Sequence, residues 1–376
     1  MAAFEGAANP SEAIKSGYYV HAPGKLLVDN ISNRIALRPS SSHLLLGGIG
    51  SGKTTQLLVA CQQINEIEDI HAIYLDVSFY PDVSKITSGV LTTMAGLQLA
   101  ELLKDSEDEN IQKYIREIRE LAYGYEENIF INLPFKTVKH KGIITDISEL
   151  YGINIRLLEI FNNLVKATSE IYGNIVFLID GLDRLYDSKT FIQLVSTDVK
   201  SISSAGTGIV VVGPLTIIYG DYRDTVSEQL DYFCYQPFFD VENDSESYSF
   251  FENIIKARTS ENFIEESAIQ SLIYFSGGVL RDFINLIQTS IEETYLSGED
   301  EVREKQLVKA VESFSSNQLR GVSDAELNIL KQIIKQEIFI PRTEEDLRLL
   351  VRRLILEYRD PKIRYAVHPA IKPLLT

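Results

Sequence analysis

Hydrophobic positions along the chain fall into two spacings. Short unbroken apolar runs predict buried strands, and apolar residues three to four apart predict helices. The runs at 43–46 (HLLL), 72–76 (AIYLD), 175–179 (IVFLI), 208–212 (GIVVV) and 232–238 (YFCYQPF) predict five strands. Between them the spacing turns helical. Leu26, Leu27, Ile31 and Ile35 predict a short helix within 18–39, and Leu57, Leu58, Cys61 and Ile64 share one face of a helix after the first strand. Residues 81–170 read as mostly helical, with a core-facing helix over 155–165 carrying Leu157, Leu158, Phe161, Leu164 and Val165. The acidic stretch KDSEDEN at 104–110 reads as a solvated break. The stretch 132–144, with Pro134, three lysines and Gly142, reads as a loop. Residues 247–319 are helical throughout. Helices over 324–334 and 343–356 follow, then a short β-like ending at 356–369 with Asp360-Pro361 as its turn. Strands alternating with helices predict an α/β core, a parallel sheet flanked by helices.

Composition narrows the setting. With 376 residues, 45% of them hydrophobic, the chain can fill a full-size core and a second domain. No apolar run reaches 18 residues, so no membrane span is expected; the longest, at 209–219, is interrupted by Gly213 and Pro214. The first residues, MAAFEGAANPSEA, lack the basic and apolar regions of an export signal. Cys61 and Cys234 sit in apolar segments and form no CxxC pair, and the five histidines show no metal-ligand spacing. Free thiols in a reducing, cytoplasmic setting are the expectation.

Net charge is −17, which excludes a chain that wraps duplex DNA with its whole surface. The charge is uneven. Residues 321–376 hold 10 Lys+Arg against 8 Asp+Glu, and the other 320 residues hold 26 against 45. The last segment is therefore the better candidate for any nucleic-acid contact, although a neutral small domain explains the same numbers.

Two segments carry chemistry. Residues 47–54 read Gly47-Gly48-Ile49-Gly50-Ser51-Gly52-Lys53-Thr54, the G-x-x-x-x-G-K-T pattern, followed by Thr55. Glycines allow backbone N–H groups to turn inward around phosphates, and the following helix points its positive end at them. Lys53 would reach the β/γ-phosphates of ATP and Thr54 would ligate Mg2+. Residues 174–184 read NIVFLIDGLDR, a buried strand carrying Asp180 to the sheet edge, where it would hold the Mg2+ through water. Many ring-forming ATPases place Glu directly after this Asp, and here the position is Gly181. Asp183 is the next carboxylate and the candidate general base; an ion pair with Arg184 or a neighbour is the alternative. The missing acid predicts slow turnover.

GGIGSGKT, IDGLDR, the strand at 209–212 and Ser276-Gly277-Gly278-Val279-Leu280-Arg281-Asp282, in this order, resemble the AAA+ superfamily. The branch is that of STAND-type signalling ATPases and origin-recognition/Cdc6-like proteins, and the resemblance covers about 18–320. It implies a flexible terminus at 1–17, an ATPase core at 18–240 with a helical insert at about 81–170, a helical lid at 241–320 and a winged-helix-like domain at 321–376. It implies that Arg281 is sensor 2, reading the γ-phosphate from the lid, with Leu280, Phe283, Ile284 and Ile287 packing its helix. Sensor 1 departs from the pattern: Gly213-Pro214 stand where a polar residue is usual, and Thr216 is the nearest polar group. Arg223 is the candidate arginine finger acting in trans, a plain surface arginine being the alternative.

The winged helix can hold DNA through Arg348, Arg352, Arg353, Lys362 and Arg364, or serve protein contact or autoinhibition. The preferred reading is a regulatory ATPase, a homo-oligomer or effector switch of the kind the resemblance places in signalling and anti-phage defence. A DNA-handling ATPase, a small-molecule P-loop kinase and a non-hydrolysing nucleotide-bound scaffold are the alternatives.

Overall fold

The computed structural model describes residues 2–5, 10–23, 27–79, 83–129, 136–145, 154–185, 187–219, 223–260, 262–359 and 362–375. Its strands are β1 (Ser42–Gly47), β2 (Ile70–Asp76), β3 (Tyr125–Ile129), β4 (Lys136–His140), β5 (Asn174–Asp180), β6 (Gly208–Val212), β7 (Tyr232–Gln236), β8 (Ile355–Tyr358) and β9 (Arg364–Val367). Five form the central sheet, in the order β2-β5-β6-β1-β7. The pairs β2–β5, β5–β6 and β6–β1 are parallel. β1 and β6 are buried at every position, and β5 at every position except Asn174. Strands covered on both faces need apolar residues throughout, which is why these were legible as unbroken runs. Because the strands run one way, β1, β5 and β2 deliver their C-terminal ends to the same edge, the edge where open α/β sheets bind ligands.

The chain divides into two compact units interleaved in sequence: Val28–Leu46 with Val59–Cys234, and Met1–Leu27 with Gly47–Leu58 and Tyr235–Thr376.

In the first of these, Ile31 and Ile35 of the helix Leu27–Leu37 are fully buried, as their spacing predicts; Leu26 lies outside the described residues. The 81–170 stretch holds the helices Val90–Leu102, Glu109–Tyr123 and Ile155–Tyr172. The acidic break ends at Asp108, whose carboxylate accepts from the N–H groups of Asn110 and Ile111 and so starts the second helix. The first helix has no side-chain cap of its own at Gly89. The fully buried Asp198 replaces it, accepting from the Gly89 and Thr92 N–H groups and from the Thr92 hydroxyl. Burial nonetheless raises the Asp198 carboxyl above its usual range.

The 132–144 stretch differs from expectation. Its residues 136–140 form β4, paired antiparallel with β3, while 132–135 lie outside the described residues. The hairpin is joined by a Tyr125–His140 ring stack at 4.3 Å and a Glu126–Lys139 ion pair at 2.8 Å. Such cross-strand pairs leave no apolar alternation to read.

β1 opens with a buried titratable group. His43 is fully buried, its Nε2 lies 2.8 Å from the Ser41 hydroxyl, and its ring stacks on Tyr232 at 4.9 Å. Burial, then the Arg34 charge, lowers its pKa to about 4. The unfolded chain binds a proton near pH 6.5 that the folded chain refuses, so stability falls as pH drops from 6.5 to about 4. The expected loss is about 3 kcal/mol. Urea unfolding of the wild type and His43→Gln at pH 7 and 4.5 checks this: the variant should lose less stability on acidification, and equal losses would contradict it.

In the other unit, the helices Ser245–Lys256, Glu266–Ser276, Leu280–Leu296 and Glu304–Gln318 surround a core that includes Phe251, Leu272, Phe283, Leu286 and Ile287. Phe4, from the helix Ala2–Glu5 in the terminus read as flexible, is buried in this core, and its carbonyl accepts from Gln288. The helices Asp324–Gln336 and Glu344–Val351 start at capping boxes, Ser323 with Glu326 and Thr343 with Asp346.

The second of these helices ends five residues short of the expected 356. Arg353 takes a left-handed φ of 61°, its N–H donates to the Leu350 carbonyl, and the Leu354 N–H donates to Leu349. That is a Schellman stop, usually made by glycine, so nothing in the residue type announced it. β8 and β9 then pair antiparallel from Ile355–Val367 to Tyr358–Arg364; the Asp360-Pro361 turn lies outside the described residues. No described helix is long and apolar enough to cross a membrane.

Candidate nucleotide site

β1 runs directly into the glycine-rich loop, and the helix Lys53–Asn65 leaves it. Gly50 and Gly52 hold φ of 87° and 96°, which side chains rarely adopt. Lys53 is 4% exposed, and its Nζ donates to the Gly47 and Gly48 carbonyls, each at 3.0 Å. The ammonium is therefore held directly over the loop. The buried Ser51 hydroxyl has no hydrogen-bond partner among the described residues. A buried donor without a partner is costly, and phosphate oxygens would satisfy it. Ile49, Thr54 and Thr55 are half-buried. Within the loop the donor set fits a nucleotide with a hard cation: the Thr54 hydroxyl offers an oxygen ligand, as Mg2+ requires.

The start of the helix Leu280–Leu296 sits against the same loop. The Arg281 N–H donates to the Gly50 carbonyl at 3.3 Å, and the Arg281 side chain is exposed. A Cβ on Gly50 would lie 2.8 Å from the Arg281 Cβ, and one on Gly52 would lie 2.9 Å from Leu280 Cδ1. Gly50→Ala should therefore weaken ATP binding at least tenfold and lower the melting temperature, since it adds backbone strain of about 1–3 kcal/mol and crowds Arg281. Calorimetric titration with ATP checks this; wild-type affinity would contradict it.

In the other unit, β5 carries Asp180 to its C-terminal end, 5% exposed. Its Oδ1 accepts from the Gly181 N–H at 2.8 Å and its Oδ2 from the Tyr74 hydroxyl at 3.0 Å. Burial first, then the charges of Asp180 and Asp76, raise the Tyr74 phenol far above its usual range, so it stays a donor. Asp76 ends β2 and pairs in register with Asp180. Periodicity had marked 72–76 only as a strand. Its acidic last residue, matching the end of β5, was the available signal; the pairing that makes the two neighbours was not in the sequence.

Gly181 takes a φ of 95° and leads into the short turn Leu182–Arg184, which places Asp183 half-buried. A Cβ on Gly213 would lie 2.7 Å from both Leu44 Cδ1 and Phe191 Cζ, so no polar side chain fits there. Thr216 shares a 3.0 Å hydrogen bond with Ser188. Arg223 heads the short helix Arg223–Ser227 with its side chain exposed.

Of the five basic residues offered as DNA contacts, four bind inside their own unit. Arg348 donates to the Gly321 carbonyl and pairs with Glu326 at 3.2 Å. Arg352 donates to the Gln318 and Arg320 carbonyls. Arg353 grips Asp282 with two hydrogen bonds, and Arg364 grips Asp240 likewise. Lys362 is exposed. Net charge counts these groups but does not show that they are already engaged.

No protein-family model matches the chain, and no curated protein matches it in sequence. Among solved structures it is similar to the Aeropyrum pernix ORC1 protein in complex with DNA, at 12% identity over 95% of this chain and 92% of that one, with a TM-score of 0.49. It is similar to Pyrobaculum aerophilum Cdc6p at 14% identity, covering 96% and 97%, with a TM-score of 0.46. The Thermotoga maritima RuvB Holliday junction branch migration motor matches at 15% identity, covering 93% and 94%, with a TM-score of 0.40.

Proposed function

We propose that this chain binds Mg·ATP through residues 47–55, hydrolyses it slowly, and uses the nucleotide state to control its association with copies of itself or with a partner protein. The observation that carries this reading is the hydrogen bond from Arg281 N–H to Gly50 carbonyl. It ties the first turn of a lid helix to the loop that would hold the phosphates, so a change at the γ-phosphate moves the lid.

Each residue then has a role. The loop N–H groups and Lys53 hold the β- and γ-phosphates, and Thr54 and Asp180 hold the Mg2+, which neutralises charge developing on the phosphates. Arg281 contacts the γ-phosphate, and the exposed Arg223 reaches the nucleotide of a neighbouring copy. Asp183, half-buried in the turn Leu182–Arg184, is the candidate general base. The domain plan is a core at 18–240 with its insert, a lid at 241–320 and a winged-helix-like segment at 321–376, the last supported by the two capped helices and the β8–β9 hairpin.

With four of five basic candidates already paired, the C-terminal segment fits protein contact better than DNA. The resemblance extends the role to cytoplasmic signalling or anti-phage defence. Phosphate release measured against protein concentration tests the reading: specific activity should rise with concentration in the wild type and stay low and flat in Arg223→Ala. Concentration-independent turnover in the wild type would remove the assembly step. Tight ATP retention with no phosphate release would make the chain a nucleotide-bound scaffold. Turnover stimulated by duplex DNA with a steep salt dependence would make it a DNA-handling ATPase.

A further inference from the structure

Resting on the reading of Arg281 given above, we propose that Arg353 and Tyr358 are positioning residues for Arg281. The β8–β9 hairpin and the turn before it hold the first turn of the helix Leu280–Leu296 against the phosphate loop, so ATP is distinguished from ADP only while the hairpin is docked.

Arg281 and Asp282 are neighbours with different surroundings. The Arg281 N–H donates to the Gly50 carbonyl, and its side chain is exposed. Asp282 is fully buried. Its carboxylate accepts from Arg353 Nε at 3.0 Å and Nη2 at 2.9 Å, the two-pronged geometry that a planar guanidinium fixes. His368, which follows β9, places Nε2 3.5 Å from the same carboxylate. Its Nδ1 accepts from the Ala370 N–H, which leaves the ring proton on Nε2. A buried carboxylate held in this way has one position, and it sits in the helical turn that carries the Arg281 N–H.

The hairpin also grips the residues before Arg281. Tyr358 is 1% exposed, and its hydroxyl donates to the Gly277 carbonyl at 2.8 Å. A Cβ on Gly277 would lie 2.5 Å from Leu356 Cδ1 and 2.9 Å from Pro369 Cδ, so the close approach of the C-terminal segment requires glycine there. Phe238, Val279, Leu356 and Tyr358 form one small buried cluster, and a Cβ on Gly48 would run into the Phe238 ring. The hairpin therefore reaches the phosphate loop by two routes: through Asp282 and Arg281 to Gly50, and through Phe238 to Gly48. The gripped residues Gly277, Val279 and Asp282 flank Arg281, so the hairpin acts on it by placement. Such coupling is reciprocal: if docking of the hairpin favours Arg281 on the γ-phosphate, the γ-phosphate favours docking by the same factor.

The test measures calorimetric affinities for ATP and ADP, with Mg2+, in the full chain. Wild-type ATP binding comes first, with Lys53→Ala as the control, so a failure of the nucleotide reading shows before the hairpin is judged. Arg281→Ala should lose about tenfold or more of the preference for ATP over ADP. Tyr358→Phe removes one hydroxyl, and Arg353→Lys keeps the charge but not the two-pronged bond. Each should lose about threefold or more of the same preference, with ADP affinity within about twofold of wild type. A merely structural role would lower both affinities together or neither. In the Arg281→Ala background, Tyr358→Phe should remove no further preference, because the two act through one contact. Hydrogen exchange reads the reciprocal effect: a slowly hydrolysed ATP analogue should slow amide exchange across 355–367 in the wild type and not in Arg281→Ala. An unchanged preference in either positioning variant, an equal loss in the Arg281→Ala background, or exchange across 355–367 indifferent to nucleotide would overturn the assignment.

Discussion

Lys53→Ala should reduce ATP affinity about 100-fold or more while leaving the fold intact. The ammonium is 4% exposed, and its Nζ donates to the Gly47 and Gly48 carbonyls, each at 3.0 Å. With ATP bound, the same ammonium would exchange those carbonyls for phosphate oxygens, and charge-assisted hydrogen bonds contribute about 1.5–3 kcal/mol each. A loss of about 3 kcal/mol corresponds to roughly 100-fold in affinity. Removing a buried cation along with its desolvation penalty does not by itself unfold the loop. Unchanged circular dichroism with lost calorimetric binding is the expected pair of results. Unchanged ATP affinity would refute the phosphate-loop reading.

Breaking the ion pair between Arg353 and Asp282 should be the largest stability effect of any single surface-reaching arginine. Asp282 is fully buried, Arg353 is 14% exposed, and two hydrogen bonds of 3.0 and 2.9 Å join them. His368 Nε2 lies 3.5 Å from the same carboxylate. Burial alone would raise the Asp282 carboxyl; the His368 ring and the Arg353 charge outweigh it and hold the carboxyl below its usual range. Removing the arginine leaves a buried carboxylate partly uncompensated, a loss of about 3–5 kcal/mol.

Arg353→Gly separates the two contributions. Glycine relieves the left-handed backbone at 353 but not the lost charge, so it should be less damaging than Arg353→Ala by about 1 kcal/mol and still strongly destabilising. The depressed Asp282 value also sets a pH sign. Its contribution is present above the ordinary carboxylate range and is lost as pH falls through the lowered folded value. Denaturant midpoints for both variants at neutral and acidic pH check all three statements; wild-type midpoints would contradict them.

The sheet was legible because β1, β5 and β6 are buried on both faces and must be apolar without interruption. The glycine loop was legible because phosphate binding restricts both residue type and spacing. The β3–β4 hairpin was not, because Tyr125–His140 and Glu126–Lys139 are pairings between distant positions rather than a local period. The end of the helix at Val351 was hidden by an arginine doing what glycine usually does. Asp76 and Tyr74 escaped for the same reason as the hairpin: only strand order brings β2 beside β5. The C-terminal arginines show what a charge count leaves out: four of them close onto Glu326, Asp282, Asp240 and backbone carbonyls.

Molar mass by light scattering, without nucleotide and with a slowly hydrolysed ATP analogue, each with and without duplex DNA, tests the central claim most directly. The account predicts that the mass rises with the analogue and Mg2+ whether or not DNA is present. A mass indifferent to nucleotide, or one that grows only on DNA, would contradict the nucleotide-controlled switch.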